Sequence, residues 1–322
     1  MLEMMLAALL YTQTAPVVPS RDELVIYANQ QPVGKLSREE ITLSVLGWPH
    51  YDEDKLLKRL NRLAQRMYKA PRNARFDKMG IVIPEQAGLK LNQKAMLQRV
   101  LAFYYGQSNQ EIQAPVTPIY PKVDRSLLRQ LGQKQIGSYV TYYRQHNENR
   151  AHNIHLASQA INSHVVFPGE TFSFNQVVGR RTPAKGYKPA PIIVKGEFSE
   201  DIGGGICQVS STLFNAVDRA GLKIINRYSH SREVPYVPPG RDATVSWGGP
   251  DFSFRNEYSH PVLIRSFSRQ GQIVISVYSF EELEYEPRIV PEATKLLPQE
   301  VEEITEELED FHFSPISEVF PD

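Results

Sequence analysis

The segment EDIGGGICQVSSTLFNA, residues 200–216, contains the only cysteine of the 322-residue chain, Cys207. Apolar residues recur at helical spacing after the three glycines, which predicts a helix from about 206 to 220. A helix N-terminus favours the nucleophilic thiolate form of a cysteine. Glycines let the backbone approach a substrate closely and leave N–H groups free to stabilise an oxyanion. Those glycines are Gly203, Gly204 and Gly205. The alternative is a buried, inert cysteine.

A cysteine nucleophile needs a base, and the order of the chain favours His230. It lies between two predicted strands, a short distance after the cysteine helix, and unrelated thiol enzymes share this arrangement. Asp242 could orient the imidazole, and Arg241 could bind a substrate carboxylate through two hydrogen bonds. The alternatives are a surface histidine and a local ion pair between Arg241 and Asp242.

Two other pairs of residues carry weaker signals. Ser210 and Ser211 have hydroxyl groups but no G-x-S-x-G motif, so they are expected to support the start of the helix. His152 and His155 have a spacing that permits a metal-binding helix face, but no further ligand completes the set. We therefore expect a polar helix face there, no metal ion, and no cofactor for the thiol chemistry.

The composition indicates a folded globular protein long enough for two domains, with 41% hydrophobic and 22% charged residues. A net charge of zero argues against a nucleic-acid-binding protein. One cysteine excludes an internal disulfide and a cysteine-rich metal site. Residues 281–310 contain twelve acidic and two basic residues, a net of −10, so the remainder carries +10. A basic body suits a partner with carboxylates or phosphates.

Residues 1–19 resemble the end of a secretion signal or an N-terminal membrane anchor. An apolar run from Met4 to Tyr11 is followed by small and polar residues, although the usual positive charges are missing. The alternative is a buried terminal helix. No other segment is apolar for about 18 residues, so we expect any membrane attachment here only.

The hydrophobic pattern predicts an α+β protein with two domains. In the first, residues 20–125, we expect a helix starting at Ser37, then the helices 52–68 and 91–105, a strand over 76–84 and an extended segment over 112–123. In the second, residues 135–280, we expect the helix 149–163, the helix carrying Cys207 at its N-terminus, and strands within 165–175, 190–196, 223–228, 243–247, 252–256, 261–267 and 272–278. Consecutive strands predict a mainly antiparallel sheet. Residues 281–322 are expected to form an acidic tail with little packing.

The second domain resembles the VanW family, which is named after an accessory protein of vancomycin-resistance clusters. The similarity covers about residues 135–278 and rests on NRAHNIHLASQAINSHVVFPGETFSFNQVVGRRTPAKGY, GGGICQVSSTLFNAVDRAGL and HSREVPYVPPGRDATVSWG, in that order. Upstream, GIVIPEQAGLKLNQKAMLQRVLAFYYGQ and IQAPVTPIYPKV are similar to the peptidoglycan-binding domain that often precedes a VanW domain.

The resemblance implies an extracytoplasmic protein of a bacterial cell envelope, of Gram-positive type, secreted or anchored at its N-terminus. Members of the family have been linked to L,D-transpeptidation, in which a cysteine attacks a peptidoglycan stem peptide and passes the acyl group to an amine on a neighbouring stem. The family's cysteine and histidine correspond to Cys207 and His230. Its conserved segments also place Gln208, Ser211 and Thr244, with Arg241, among the residues expected at the oxyanion or the substrate.

Two other functions remain open at this stage. A non-enzymatic module would recognise peptidoglycan without chemistry at Cys207. A thiol peptidase would use the same nucleophile and pass the acyl group to water.

Overall fold

The computed structural model describes residues 22–45, 48–77, 79–106, 110–194 and 197–295. They fall into two compact units, residues 1–74 with 83–125, and residues 75–82 with 126–322. In these ranges no helix combines the length and the apolar character that crossing a membrane requires. The predicted signal or anchor segment, residues 1–19, lies outside the described residues.

The strands up to residue 120 are short. They are β1 (Glu23–Ala28), β2 (Gln31–Ser37), β3 (Thr42–Val45), β4 (Trp48–Tyr51), β5 (Arg75–Phe76), β6 (Val82–Ile83), β7 (Gly88–Leu91), β8 (Glu111–Gln113) and β9 (Val116–Ile119). In the first unit β1 is the central strand of a sheet, antiparallel to β2 and parallel to β8. Two further antiparallel pairs are β3 with β4 and β7 with β9.

The helices of the first unit match the sequence prediction closely. Helix α1 (Glu53–Met67) begins at an Asp52 side chain that accepts from Lys55 N, and α2 (Gln93–Tyr104) begins in the same way at Asn92. The apolar side chains of both helices and of the central sheet form one buried core. It consists of Leu24, Ile26, Leu36, Ile41, Leu56, Leu60, Leu63, Leu91, Met96, Val100 and Phe103.

Two predictions in this region are wrong. Ser37 and Glu40 do form the reciprocal hydrogen bonds of a capping box, but only a single 3₁₀ turn, Glu39–Ile41, follows. The next residues, TLSV, favour the extended chain and form β3. The strand predicted over 76–84 is instead the two short strands β5 and β6, separated by a turn that contains Gly80 at φ +81°.

The second unit contains most of the regular structure. Its strands are β10 (Lys134–Tyr142), β11 (His164–Val166), β12 (Thr171–Ser173), β13 (Pro189–Val194), β14 (Glu197–Ile202), β15 (Lys223–Asn226), β16 (Ser253–Arg255), β17 (Val262–Arg269) and β18 (Gln272–Ser279). Its helices are α3 (Arg125–Leu131), α4 (Glu148–Ile161), α5 (Phe174–Val178) and α6 (Ile206–Arg219).

The sheets of this unit are antiparallel, which confirms the predicted α+β class. The largest has the strand order β10-β18-β17-β11, a second has the order β12-β16-β15, and β13 pairs with β14. Helix α6 packs on β10 and β18, and α4 packs on β17 and α6.

Helix α6 is held tightly in the core. Val209, Leu213 and Val217 are fully buried on its inner face. At Gly137 of β10, a Cβ atom would lie 2.4 Å from the carbonyl oxygen of Ala216, so only glycine allows this approach of strand and helix. The position of the residues at the start of α6 is therefore fixed by close packing.

The strand predicted over 243–247 is also wrong, because these residues form irregular chain. The backbone groups of Ala243 bond to side chains of α6 instead of a neighbouring strand. Ala243 N–H donates to Ser211 Oγ (2.8 Å), and Ala243 O accepts from Ser210 Oγ (2.5 Å).

The predicted lack of packing after residue 281 is wrong for residues 281–295. Leu283 and Val290 are buried in the core of the second unit. Val290 O accepts from Arg219, and Pro291 O accepts from the Tyr139 hydroxyl. The rest of the acidic tail, from residue 296, lies outside the described residues.

Candidate active site

Cys207 is the second residue of α6, and a turn of glycines leads into it. Gly203 and Gly205 both have φ +98°, a conformation that favours glycine. At Gly205, the N-cap, a Cβ atom would lie 2.9 Å from Arg150 Cγ and 3.0 Å from Ile154 Cγ1. Both the backbone angle and the close packing therefore require glycine at the residue before the helix.

The glycine turn leaves several N–H groups next to the thiol without backbone acceptors. Gly203 N–H donates to Lys188 O (3.1 Å), which ties the turn to the chain after α5. Within the part of the chain that the structure describes, the N–H groups of Gly204, Gly205 and Cys207 donate no backbone hydrogen bond. N–H groups at a helix N-terminus can stabilise a negatively charged oxygen, so this turn could serve as an oxyanion site.

The thiol of Cys207 lies near the imidazole of His230, close enough to raise the pKa of that ring. The thiol also lies 3.5 Å from Val245 O. On the other side of the ring, His230 Nδ1 is 2.6 Å from Asp242 Oδ2, which also accepts from the His230 backbone N–H at 2.6 Å. A carboxylate on Nδ1 leaves Nε2 for the thiol, so the three side chains form the geometry of a thiol–imidazole–carboxylate triad.

The electrostatics of the triad favour a charged imidazole. Burial alone would lower the pKa of His230, but the hydrogen bonds and charges of Asp242 and Cys207 outweigh it and raise the pKa to about 9. Burial would raise the pKa of Asp242, and the two hydrogen bonds from His230 lower it overall. With a pKa of about 9, His230 carries its proton at neutral pH, and the carboxylate of Asp242 stabilises that charge.

Ser210 and Ser211 hold the loop that supplies Asp242 and Val245. Both hydroxyls donate to Cys207 O, at 3.1 and 2.7 Å, and both bond to Ala243 as described above. Both serines are fully buried. These contacts favour the predicted structural role of Ser210, the support of the helix start. Ser211 makes equivalent contacts and is likewise away from any open surface.

Gln208, also predicted at the oxyanion or substrate, is buried, and its amide is fully engaged by protein. Its Oε1 accepts from Arg150 (2.7 Å), and its Nε2 donates to Thr141 Oγ1 and Tyr142 O. The structure therefore places it as a link between α6, α4 and β10.

Arg241 lies against the second half of α6. Its Nε donates to Asn215 Oδ1 (2.7 Å), its Nη2 donates to Asp218 Oδ2 (2.8 Å), and its guanidinium stacks on Phe214. The alternative prediction was an ion pair between Arg241 and Asp242. Arg241 does form an ion pair, but with Asp218. Asp242 bonds instead to His230 and Arg227. These contacts favour a structural role over the predicted binding of substrate.

Thr244 lies one residue before Val245, in the loop beside the thiol. Its N–H donates to Tyr228 O (2.7 Å), and its Oγ1 is buried without a hydrogen-bond partner. An unpaired hydroxyl near the thiol is compatible with the predicted contact with substrate.

The two histidines of the weak metal pattern bond to protein groups. His152 Nε2 lies 2.9 Å from Gly186 O, and His155 Nδ1 lies 2.9 Å from Ser268 Oγ. Among the described residues no three histidine, cysteine or acidic side chains are grouped as a metal ion would need.

Arg181 and Tyr236 also lie near the thiol, and the sequence reasoning did not select them. The charge of Cys207 acts on both side chains. Burial raises the pKa of Tyr236 well above its usual value. The run RRTPAKGYK, with four basic and no acidic residues, was the available signal for Arg181.

Two clefts lie near the loop that follows His230. One, of about 210 Å³, is lined by His230 and Asp242 together with Ser229, Arg232 and Gly240, among others. The other, of about 600 Å³, is lined by residues 233–235 and 237–239 and by Glu292 and Thr294, and includes none of the three triad residues. The smaller cleft therefore contains two of the three triad residues, whereas Cys207 lines neither cleft.

Comparison with known proteins decides the family. A family model described as "VanW like protein" matches residues 149–278, and one described as "Putative peptidoglycan binding domain" matches residues 34–113. "Uncharacterized protein YoaR" of Bacillus subtilis (strain 168) is 51% identical over 281 residues, which cover 87% of this chain and 93% of that protein. The chain belongs to the VanW family.

A second relative is the "Vancomycin B-type resistance protein VanW" of Enterococcus faecalis (strain ATCC 700802 / V583). It is 35% identical over 117 residues, 35% of this chain and 42% of that protein. No solved structure matches the chain. The VanW match contains all three triad residues, and the peptidoglycan-binding match associates this VanW-family protein with the cell wall.

Proposed function

We propose that this protein is a cysteine acyltransferase that acts on peptidoglycan stem peptides outside the cytoplasm, in the manner of an L,D-transpeptidase. The observation that supports the proposal is the placement of Cys207, at the start of a buried helix, near His230, whose ring is hydrogen-bonded to Asp242. The match to a peptidoglycan-binding domain supports the substrate class.

In the first half-reaction the thiolate of Cys207 attacks a carbonyl carbon of the donor stem. The electron pair of the C=O bond moves to the oxygen, which the N–H groups of the glycine turn stabilise. When the tetrahedral intermediate collapses, the C–N bond breaks, and the leaving amine takes the proton from His230. The product is a thioester between Cys207 and the donor.

In the second half-reaction an amine of a neighbouring stem attacks the thioester. The amine gives a proton to His230, the C–S bond breaks, and the thiolate and the imidazolium are restored. The cycle is redox-neutral and uses only groups of this chain. Asp242 holds the imidazole with Nε2 towards the thiol and stabilises its positive charge in both halves.

The test is to incubate the purified full chain with muropeptides and to search for a thioester adduct by mass spectrometry. Because Cys207 is the only cysteine, a thioester adduct has one possible position. We expect an adduct with the wild type and none with Cys207→Ala. A His152→Gln variant should form it normally, whereas His230→Gln should form it at least about 10²-fold more slowly. Crosslink formation undiminished in Cys207→Ala would contradict the proposal.

The second candidate function is a non-enzymatic wall-binding protein. The separate match of residues 34–113 to a peptidoglycan-binding domain favours it, because most of those residues, 34–74 and 83–113, lie in a unit that contains none of the triad. It predicts that purified sacculi retain Cys207→Ala and the wild type equally, and that neither protein changes the crosslinks. A thioester adduct on the wild type would exclude this function as the whole activity.

A further inference from the structure

We propose that Arg181 forms a carboxylate-binding subsite beside the Cys207 thiol. Arg181 follows α5, at the start of a basic loop, residues 180–188. The assignment of the carboxylate to an acyl-donor peptide rests on the proposed function, whereas the subsite itself rests on the contacts of Arg181.

The guanidinium of Arg181 is fixed to the loop that contacts the thiol. Its Nη1 donates to Asn175 Oδ1 (2.7 Å), and Asn175 Nδ2 donates to Ser246 O and Pro250 O, at 2.9 and 3.0 Å. Ser246 follows Val245, whose carbonyl oxygen lies 3.5 Å from the Cys207 sulfur. The amide of Asn175 therefore holds one side of the guanidinium in place.

The aliphatic part of Arg181 packs against the glycine turn. At Gly203, a Cβ atom would lie 3.3 Å from both Cβ and Cγ of Arg181. Any larger residue at position 203 would displace the arginine. The same turn supplies the N–H groups beside the thiol, so Arg181 lies at the edge of the candidate oxyanion site.

The other terminal nitrogen of the guanidinium has no partner. Arg181 Nη2 is buried and has no hydrogen-bond partner among the described residues. A buried guanidinium N–H without an acceptor costs free energy that a bound acceptor would recover. Burial lowers the pKa of Arg181, and the charges of Cys207, Tyr187 and Asp251 act in the opposite direction.

The loop around Arg181 favours an anion. Residues 180–188 carry Arg180, Arg181, Lys185 and Lys188 and no acidic residue. A guanidinium with a free N–H edge fits a planar carboxylate better than an ammonium does. The expected ligand is thus a peptide with a carboxylate close to the carbonyl carbon that the thiolate attacks.

The experiment compares two alkylating reagents of nearly the same shape on the full chain. Iodoacetate carries a carboxylate next to its reactive carbon, and iodoacetamide carries a neutral amide there. In both reactions the Cys207 thiolate displaces iodide. We expect the ratio of the iodoacetate rate to the iodoacetamide rate to fall roughly tenfold in Arg181→Gln.

Arg180→Gln is the matched control, because Arg180 is adjacent, exposed and of the same charge. Its ratio should stay within about twofold of the wild type if general surface charge contributes little. An unchanged ratio in Arg181→Gln, or an equal fall in Arg180→Gln, would overturn the subsite. If Arg181→Gln does not fold, Arg181→Lys decides, since a lysine that leaves the ratio unchanged excludes a requirement for the guanidinium.

A second measurement separates this subsite from the proposed reaction. If the ratio falls in Arg181→Gln but no muropeptide forms a thioester with the wild type, the subsite stands and the acyltransferase fails. If the thioester forms and the ratio is unaffected, the acyltransferase stands and the subsite fails. If both stand, Arg181→Gln should raise KM about tenfold for donors with a free carboxylate and leave KM for their carboxamide analogues unchanged.

Discussion

The two ends of helix α6 are built in opposite ways. At the N-terminal end the cap is Gly205, which has no side chain to accept from the first N–H groups. At the C-terminal end, Ala220 O accepts from the Tyr258 hydroxyl, and Arg288 donates to Gly221 O and Leu222 O. Cations stabilise a helix C-terminus and anions stabilise an N-terminus. The protein therefore satisfies one end with its own groups and leaves the other available for a negatively charged group.

Two neighbouring residues show the same division. Arg241 contacts Asn215 and Asp218 on the second half of α6, whereas Asp242 contacts His230 at the thiol. The sequence offers them as one motif, R-D-A-T, and the structure assigns them to opposite ends of the helix. The motif therefore combines Arg241, which stabilises the fold, with Asp242, which belongs to the candidate active site.

The largest effect is expected from Asp242→Asn. A neutral amide no longer stabilises the imidazolium beside the thiol, so we expect acyl transfer to fall by roughly 10³-fold. Alkylation of Cys207 by iodoacetamide at neutral pH should fall by about tenfold. Stopped reactions analysed by intact mass give both rates.

The neighbouring variant Arg241→Gln provides the matched control for this comparison. It removes the ion pair with Asp218 and should cost about 1 kcal/mol of unfolding free energy, since both side chains are partly exposed. Its alkylation rate should stay within about twofold of the wild type. If Arg241→Gln slowed alkylation as much as Asp242→Asn, the two ends of α6 would not be functionally distinct.

The next largest effect is a pH dependence of stability at the N-terminal end. The pKa of folded His230 is raised from 6.5 to about 9, so its contribution is complete below pH 6.5 and is lost as the pH rises through about 9. The pKa of Asp242 is lowered from 3.8, so its contribution is present above pH 3.8 and is lost as the pH falls further. The difference in unfolding free energy between the wild type and His230→Gln should shrink by about 3 kcal/mol from pH 6 to pH 10.

Urea unfolding at a series of pH values measures this difference. His155→Gln, at a histidine bonded to Ser268, should leave the alkaline loss of stability as in the wild type. A stability curve of His230→Gln that runs parallel to the wild type above pH 7 would show that His230 is not charged in the folded protein.

The smallest of these effects is expected at Gly205, the N-cap of α6, which has no capping side chain. Gly205→Ala introduces a Cβ atom at φ +98° against Arg150 and Ile154, and should cost about 2 kcal/mol. Gly240→Ala, at φ +73° with open space around the new atom, should cost about 1 kcal/mol. Chemical denaturation compares the two variants. Equal losses would show that the close packing behind the N-terminus of α6 is unimportant.

Much of the fold follows from hydrophobic spacing. Helices α1, α2, α4 and α6 and strands β17 and β18 lie within two residues of their predicted bounds, and the periodic pattern is strongest in α1 and α6. The sequence failed where side chains replace backbone pairing, as in residues 243–247, which Ser210 and Ser211 hold. The prediction of little packing also failed at residues 281–295. The acidic composition there gave no indication that Leu283 and Val290 are buried.

Part of the candidate site could also be predicted from the sequence. Residue type and order selected Cys207, His230 and Asp242, and the structure brings these three together, while their catalytic roles stay predictions. Arg181 was missed because it precedes Cys207 by a hairpin, β13–β14, and no spacing rule connects the two. Only tertiary packing places the aliphatic part of its side chain at the glycine turn.

The segment after β18 has a practical consequence for anyone who prepares the second unit by itself. The family match ends at residue 278, but Leu283 and Val290 fill the core beyond that point. A gene fragment cut at residue 278 would remove the acceptors of Tyr139 and Arg219 and open an apolar surface to solvent. Such a fragment would be prone to aggregation during expression. A fragment that extends to residue 295 keeps the described segment, and with it the cover over the core.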